Sequence, residues 1–442
     1  MIWHARRDGV SLVVGGGDGG SSLPQILHWG HDLGEVSPDG LRGLALARRP
    51  APGGAPTEVA RDLSVLPAYE RGWTGRAGLL GSRAGRSWSP AFRAVAWDRQ
   101  PQSLTCMAVD DAAGLGLRLE VELATGGLVR LRATVTNAGG EPYRLDALRL
   151  ALPVPPAATE LMDLTGRWSQ ERVAQRQAFG VGAHLRENFT GRTGLGAAYV
   201  LAAGPAGFGF RSGPVWAAHL GWSGNQELYA ERTPAGGRVL AAGEAFHPGE
   251  LVLAPGEAYT SPWVYGSWGD GLDQVAGRFH RYLRAQPSHP AGPRPVIVNT
   301  WEAAYFDHYF AKLAALARAA AEVGAERFVL DDGWFGSRRD DTSGLGDWTV
   351  SGEAWPEGLG PLIALVESLG MDFGLWVEPE MVNLDSDLAR AHPDWLMAVD
   401  GRIGEPSRHQ FVLDLTHPGA YEQVRAQLLA LLGANRIAYL KW

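Results

Sequence analysis

Two adjacent carboxylates, Asp331 and Asp332, close the apolar run Phe328-Val-Leu and are followed by Gly333-Trp334. Three other apolar runs end in a similar way. Val296–Thr300 leads into Trp301-Glu302, Phe373-Gly-Leu into Trp376-Val-Glu378-Pro-Glu380, and Ala438-Tyr-Leu into Lys441-Trp442. Carboxylates accept hydrogen bonds from hydroxyl groups, and indole faces cover the apolar face of a sugar ring. Acidic residues and tryptophans gathered at one mouth therefore fit a sugar. Glu378 and Glu380 alternate, which on a strand puts both on one face, where they meet a substrate or pair with arginines. Taken singly, each piece has a plainer reading: Asp331-Asp332 as an N-cap and turn, Trp301 and Trp376 as core, Arg408 as a loop charge. The joint arrangement carries the functional reading. His308, His392, His409 and His417 lack metal-ligand spacing such as H-E-x-x-H, so no metal site is expected.

These residues need elements that bring strand ends together. From about residue 296 the chain alternates between apolar strands and helices. Strands are expected at Val296–Thr300, Arg327–Asp331, Asp372–Val377 and from Ile437 to Leu440, with a further extended run at Gln410–Leu415. Helices are expected at His308–Val323, at Pro361–Leu369 ending in Gly370, and at Gly419–Leu432 ended by Gly433. Apolar strands separated by helices imply parallel strands covered on both faces. That pattern belongs to a (βα)8 barrel or a doubly wound sheet, and the side chains at the strand ends favour the barrel, whose catalytic groups collect at one mouth.

Before residue 285 the texture differs. Short alternating runs such as Leu117–Leu123, Leu128–Thr136, Gly207–Arg211 and Val215–Leu220, with turn residues between them, predict a large antiparallel β domain over residues 1–285. Gly15–Gly20 and Pro50–Pro56 read as loops. The glycine run lacks the following Lys-Ser/Thr of a phosphate loop. A helix within Gln274–Arg284 and a proline-rich linker at 286–295 separate the two regions.

The 442 residues suffice for two to four domains at about 100–200 residues each. Net charge is −8, with 20% charged and 45% hydrophobic residues. This mildly acidic balance lacks the basic footprint of nucleic-acid binding. No apolar stretch approaches the ~18 residues of a membrane span, and Val10–Val14 is too short for a signal peptide. The reading is a cytoplasmic protein that engages neither nucleic acid nor membrane. The lone cysteine, Cys106, reads as a packed small apolar residue. Of the 40 Lys and Arg residues only Lys312 and Lys441 are lysines. A lysine kept in such a chain suits a place where a compact ammonium is needed, and Lys441, after an apolar strand, fits that description.

Six blocks, WEAAYFD, FVLDDGWFGSRRDDTSGLGDW, GLWVEPEMVNLDSDL, AHPDWL, QFVLDLTHP and YLKW, closely resemble, in this order and spacing, the retaining α-galactosidases of glycoside hydrolase family 36. The resemblance runs from about Val296 to Trp442. Weaker fragments, Ile26-Leu-His-Trp-Gly30, Gly72-Trp-Thr-Gly-Arg76 and Trp222-Ser-Gly-Asn225, resemble the family's N-terminal β-supersandwich. The implied fold is that supersandwich followed by the first half of a (βα)8 TIM barrel at 296–442. By the same resemblance, Asp331 and Asp332 bind the axial 4-hydroxyl and the 6-hydroxyl of galactose. Trp301 and Trp376 line the sugar pocket, Arg408 is a substrate-site residue, and Lys441 contacts the sugar beside the nucleophile. Arg76 matches an arginine that reaches a neighbouring subunit's site, in line with a homo-oligomer, a tetramer. No cofactor is implied.

In the family the nucleophilic aspartate follows Lys-Trp, and the acid/base aspartate lies on a later strand. Neither is in this sequence, nor are half of the barrel strands and the family's C-terminal β-domain. The expectation is therefore the N-terminal portion of an enzyme that removes terminal α-linked galactose from oligosaccharides such as melibiose or raffinose, without turnover by itself. The alternatives are an α-N-acetylgalactosaminidase or transglycosylase on the same scaffold, or a non-catalytic galactose-binding protein.

Overall fold

The computed structural model describes residues 2–16, 22–48, 63–196 and 200–442. The chain forms two compact units, Met1–His289 and Pro290–Trp442, and the division falls inside the proline-rich segment. Of the two loops read from the sequence, Pro50–Pro56 and most of Gly15–Gly20 lie outside the described residues.

The first unit is antiparallel β. Its largest sheet has ten strands, and in it Ser103–Asp110, Leu115–Ala124, Leu128–Asn137 and Trp263–Asp270 lie side by side. A six-stranded sheet contains Tyr143–Pro153, Arg238–Ala245 and Gln226–Arg232. The period-2 pattern fixes the buried face. Leu115, Leu117, Leu119, Val121 and Leu123 are buried, while Arg118 and Glu120 between them reach solvent. The inward residues of both sheets, among them Leu119, Leu131, Leu150, Leu228 and Leu240, join one core, which is the sandwich that the sequence implies. Cys106 is fully buried in it, and burial pushes its thiol up to about 12. The helix spans Leu272–Arg284. Gly207–Arg211, expected as a strand, is instead a turn between Leu201–Gly204 and Pro214–Gly221. Gly207 sits at φ 77°, a left-handed conformation no strand interior uses, and Phe208 N donates back to Pro205 O at 3.1 Å.

The second unit holds four parallel strands in chain order: Ile297–Asn299, Arg327–Leu330, Asp372–Trp376 and Tyr439–Lys441. Helices Phe310–Glu322, Gly360–Ser368 and Pro418–Ala434 occupy the crossovers. Strand residues Phe328, Leu330, Phe373 and Leu375 share a core with helix residues Leu313, Leu362 and Leu428. This is the first half of a (βα)8 barrel. Gly324 at φ 84° and Gly370 at φ 81° end the first two helices in the left-handed form. Gly433, expected to do the same for the third, is helical. That helix runs to Ala434, and Asn435 caps it by donating Nδ2 to Leu431 O at 3.0 Å. The extended run at 410–415 is a two-residue ribbon, Phe411–Val412, antiparallel to Met381–Val382 and outside the barrel sheet.

Candidate functional site

All four strands carry their side-chain chemistry at or just beyond their C-terminal ends. The second strand stops at Leu330, and Asp331 and Asp332 follow, each only 3% exposed. The first strand is followed by Thr300, whose Oγ1 accepts from Asp331 N at 3.0 Å. Asp331 Oδ1 accepts from Asp332 N at 2.8 Å, and its Oδ2 meets Lys441 Nζ, from the fourth strand, at 2.5 Å. Lys441 thus occupies a position where a compact ammonium bridges to a buried carboxylate, in keeping with its retention in an arginine-rich chain.

Asp332 is gripped differently. Arg338, fully buried, donates Nε to Oδ1 at 3.0 Å and Nη2 to Oδ2 at 2.8 Å. This is the planar bidentate pairing that suits guanidinium and carboxylate. Burial still raises the Asp332 carboxyl above its usual range, and Arg338 opposes that rise.

The aromatic residues back these carboxylates. Trp334, fully buried, donates Nε1 to Trp376 O at 2.9 Å, tying the second strand end to the third. Half-buried Trp376 packs against Phe335 and Trp348, with ring centroids 6.2 and 6.0 Å away. Trp301, half-buried, opens the short helix Trp301–Ala304 and packs edge-on against Tyr305 and Phe306 at 5.0 and 5.2 Å. Gly333 is at φ 112°, and a Cβ there would meet the His308 ring at 3.3 Å. Burial pushes the His308 imidazole down to about 4.

Arg408 is exposed on a two-residue turn in which Ser407 and Gln410 exchange backbone hydrogen bonds. Arg408 and His409 have φ of 54° and 60°, the left-handed pair that a type I′ turn demands and that non-glycine residues rarely adopt. Its charge acts on both Asp332 and Glu378. Asp331, Asp332, Arg408 and Lys441 therefore form one charged group, with Trp376 at the same strand ends.

One expectation changes. Glu378 and Glu380 do not alternate along a strand, because the third strand ends at Trp376 and Pro379 interrupts any continuation. Glu378 O accepts from Met381 N in a turn, and Glu380 Oε2 accepts from Trp442 Nε1 at 3.1 Å. Burial raises the Glu378 carboxyl. Arg76 belongs to the first unit and is engaged there. Its Nη2 donates to Glu227 Oε2 at 2.6 Å, its backbone N donates to Glu231, and its guanidinium lies over Tyr229 at 5.1 Å.

Residues 22–254 match the model of the glycosyl hydrolase family 36 N-terminal domain, and residues 258–442 match that of Melibiase. The chain belongs to glycoside hydrolase family 36. An α-galactosidase from Escherichia coli is 37% identical over 423 residues, which is 95% of this chain and 59% of the relative. The α-galactosidase AgaA of Geobacillus stearothermophilus is 32% identical over 354 residues, 79% of this chain and 49% of the relative. The chain thus spans about half to three-fifths of the length of these relatives. The crystal structure of AgaA superposes with a TM-score of 0.89 at 28% identity, covering 100% of this chain and 65% of AgaA. Variants of AgaA have been crystallised with stachyose and with raffinose.

Within this family 36 chain the site contains residues that sequence reasoning passed over. Arg338 is one of two arginines in Gly-Ser-Arg-Arg-Asp-Asp, and nothing in one dimension separates it from Arg339, which is partly exposed. Asn383 and Thr300, both fully buried, carry no signature at all. Among the described residues no group of three or more His, Cys, Asp or Glu could hold a metal ion.

Proposed function

We propose that this chain is the galactose-reading part of a retaining α-galactosidase that removes terminal α-linked galactose from raffinose-type oligosaccharides, and that by itself it binds the sugar without cleaving it. The Asp331–Asp332 pair carries the reading. Two buried carboxylates, each held by a cationic side chain, sit at the same strand ends as a half-buried indole, a set that accepts hydroxyl hydrogen bonds in fixed directions. Galactose and glucose differ only in the direction of one hydroxyl, so rigid acceptors discriminate between them where flexible ones do not.

Retaining hydrolysis needs two carboxyl groups about 5–5.5 Å apart, one as nucleophile and one as acid and base. Three carboxylates at the strand ends have protein partners. Asp331 is paired with Lys441, Asp332 with Arg338, and Glu380 accepts from Trp442. The proposal extends to a cytoplasmic protein whose functional form is a homo-tetramer. Among the described residues no helix is long and apolar enough to cross a membrane.

The test is calorimetric titration of the chain with D-galactose and D-glucose, beside an assay of nitrophenol release from p-nitrophenyl α-galactoside. Galactose binding preferred over glucose, with no release, is the expected result. Turnover that Glu378→Gln abolishes would overturn the claim of binding alone. Equal affinity for the two sugars would overturn the galactose assignment.

A further inference from the structure

We infer that Arg338 and Asn383 are positioning residues of the sugar site, a buried bridge that sets the carboxylate plane of Asp332 and the turn bearing Arg408 at once. The inference rests on the reading of Asp332 and Arg408 as sugar ligands.

Neither side chain touches solvent, so neither can touch a substrate. Their polar atoms are spent on the loops that carry the site. Besides the paired bonds to Asp332, Arg338 Nη1 donates to Asn383 Oδ1 at 2.9 Å and to Ser343 O at 3.1 Å. Its guanidinium lies over the Phe306 ring at 5.3 Å, and Phe306 packs edge-on against Trp301. Asn383 Oδ1 also accepts from Leu345 N at 3.0 Å, and its Nδ2 donates to His409 O at 2.8 Å. His409 is the second residue of the strained turn, so the amide holds that turn one residue from Arg408. A continuous path therefore runs from Asp332 through Arg338 and Asn383 to the Arg408 turn.

The chemistry of the bridge explains what it supplies. A guanidinium fork takes one lone pair from each oxygen of Asp332 and leaves each oxygen another lone pair, in a fixed plane. A buried ion pair is weak evidence for stability, since apolar replacements are often as stable, so its value here lies in keeping Asp332 an oriented double acceptor. The charged groups facing Asp332 are Arg338, Asp331, Arg408 and Glu378. Removing Arg338 leaves two acidic neighbours and one exposed cation around a desolvated carboxyl, which shifts its titration upward, towards the protonated form that has one acceptor site fewer.

The test uses the chain with Arg338→Met, Arg338→Lys and Asn383→Leu. The Asp332 carboxyl is followed by 13C NMR of aspartate-labelled protein, its signal assigned by its loss in Asp332→Asn. Binding of D-galactose and D-glucose is measured in parallel. Arg338→Met is expected to raise the Asp332 titration midpoint by about one pH unit or more. Arg338→Lys keeps the charge and holds the midpoint near the parent's. It lowers the galactose-over-glucose preference about tenfold, because a point charge cannot hold both oxygens in plane. Asn383→Leu leaves the midpoint in place and weakens galactose binding through the Arg408 turn. An unmoved midpoint in Arg338→Met, or full sugar preference in Arg338→Lys, overturns the inference. Should Arg338→Met fail to fold, Arg338→Lys still decides between orientation and mere charge. A parent chain that shows no galactose preference defeats the functional reading instead, while the carboxyl titration still settles whether Arg338 governs Asp332.

Discussion

Thr300→Val isolates a single hydrogen bond under the candidate site. Thr300 is fully buried, and its Oγ1 is the acceptor for the backbone N–H of Asp331 at 3.0 Å. The Thr300 backbone donates N–H to Val329 O and accepts from Ala303 and Ala304, contacts a side-chain change leaves alone. Valine has the shape of threonine with a methyl in place of the hydroxyl, so packing is largely kept while a buried N–H loses its partner. Such an orphan costs about 1–3 kcal/mol. In a unit of this size about 1 kcal/mol corresponds to roughly 2–4 °C, so the unfolding transition of the second unit should fall by roughly 2–12 °C. Thr300→Ser, which keeps the acceptor, should recover most of that loss. Because the same N–H aims Asp331, galactose affinity should fall with Thr300→Val and return with Thr300→Ser. Differential scanning calorimetry and sugar titration read the two effects. A Thr300→Val chain that unfolds with the parent, or a Thr300→Ser chain that is no better than Thr300→Val, would refute the reasoning.

Lys441→Arg tests whether the bridge to Asp331 needs an ammonium. The bulkier fork does not fit the single 2.5 Å contact, and galactose affinity should fall by about tenfold or more, as expected for a charge-assisted bond of ~1.5–3 kcal/mol, measured by calorimetry. His308 titrates near 4 in the folded chain against 6.5 unfolded, so the unfolded state binds the extra proton between those values. Stability of the second unit should therefore fall as pH drops from 6.5 towards 4, by at most about 1.4 kcal/mol per pH unit from this group. His308→Phe should flatten that slope in urea titrations across the same range, and an unchanged slope would show that other groups carry it.

The parallel strands of the second unit were legible because each is a short apolar run closed by a polar cluster, and because helices of apolar periodicity fill the gaps. The antiparallel first unit was legible from alternation, as in Leu117–Leu123. Failures came where local composition imitates an element. Gly207–Arg211 alternates like a strand, but a left-handed glycine turns it. Gly433 resembles a helix stop, but the helix continues one residue past it. Glu378 and Glu380 have strand spacing, but a proline between them and the end of pairing at Trp376 put them in a turn.

The sequence by itself determined which residue types gather at the strand ends: Asp331-Asp332, Trp301, Trp376 and Lys441, each anchored to an apolar run whose burial is dictated by its own composition. It also determined the family, through long blocks of ordered motif. Tertiary structure alone decided how those residues are held. Lys441 meets Asp331 across 110 positions of sequence, Arg338 rather than Arg339 takes Asp332, and Asn383 joins that pair to the Arg408 turn. Hydrogen bonds of this kind depend on the directions of side chains brought together by the barrel register. Direction is a property of packed neighbours, and the order of residues along the chain does not encode it locally.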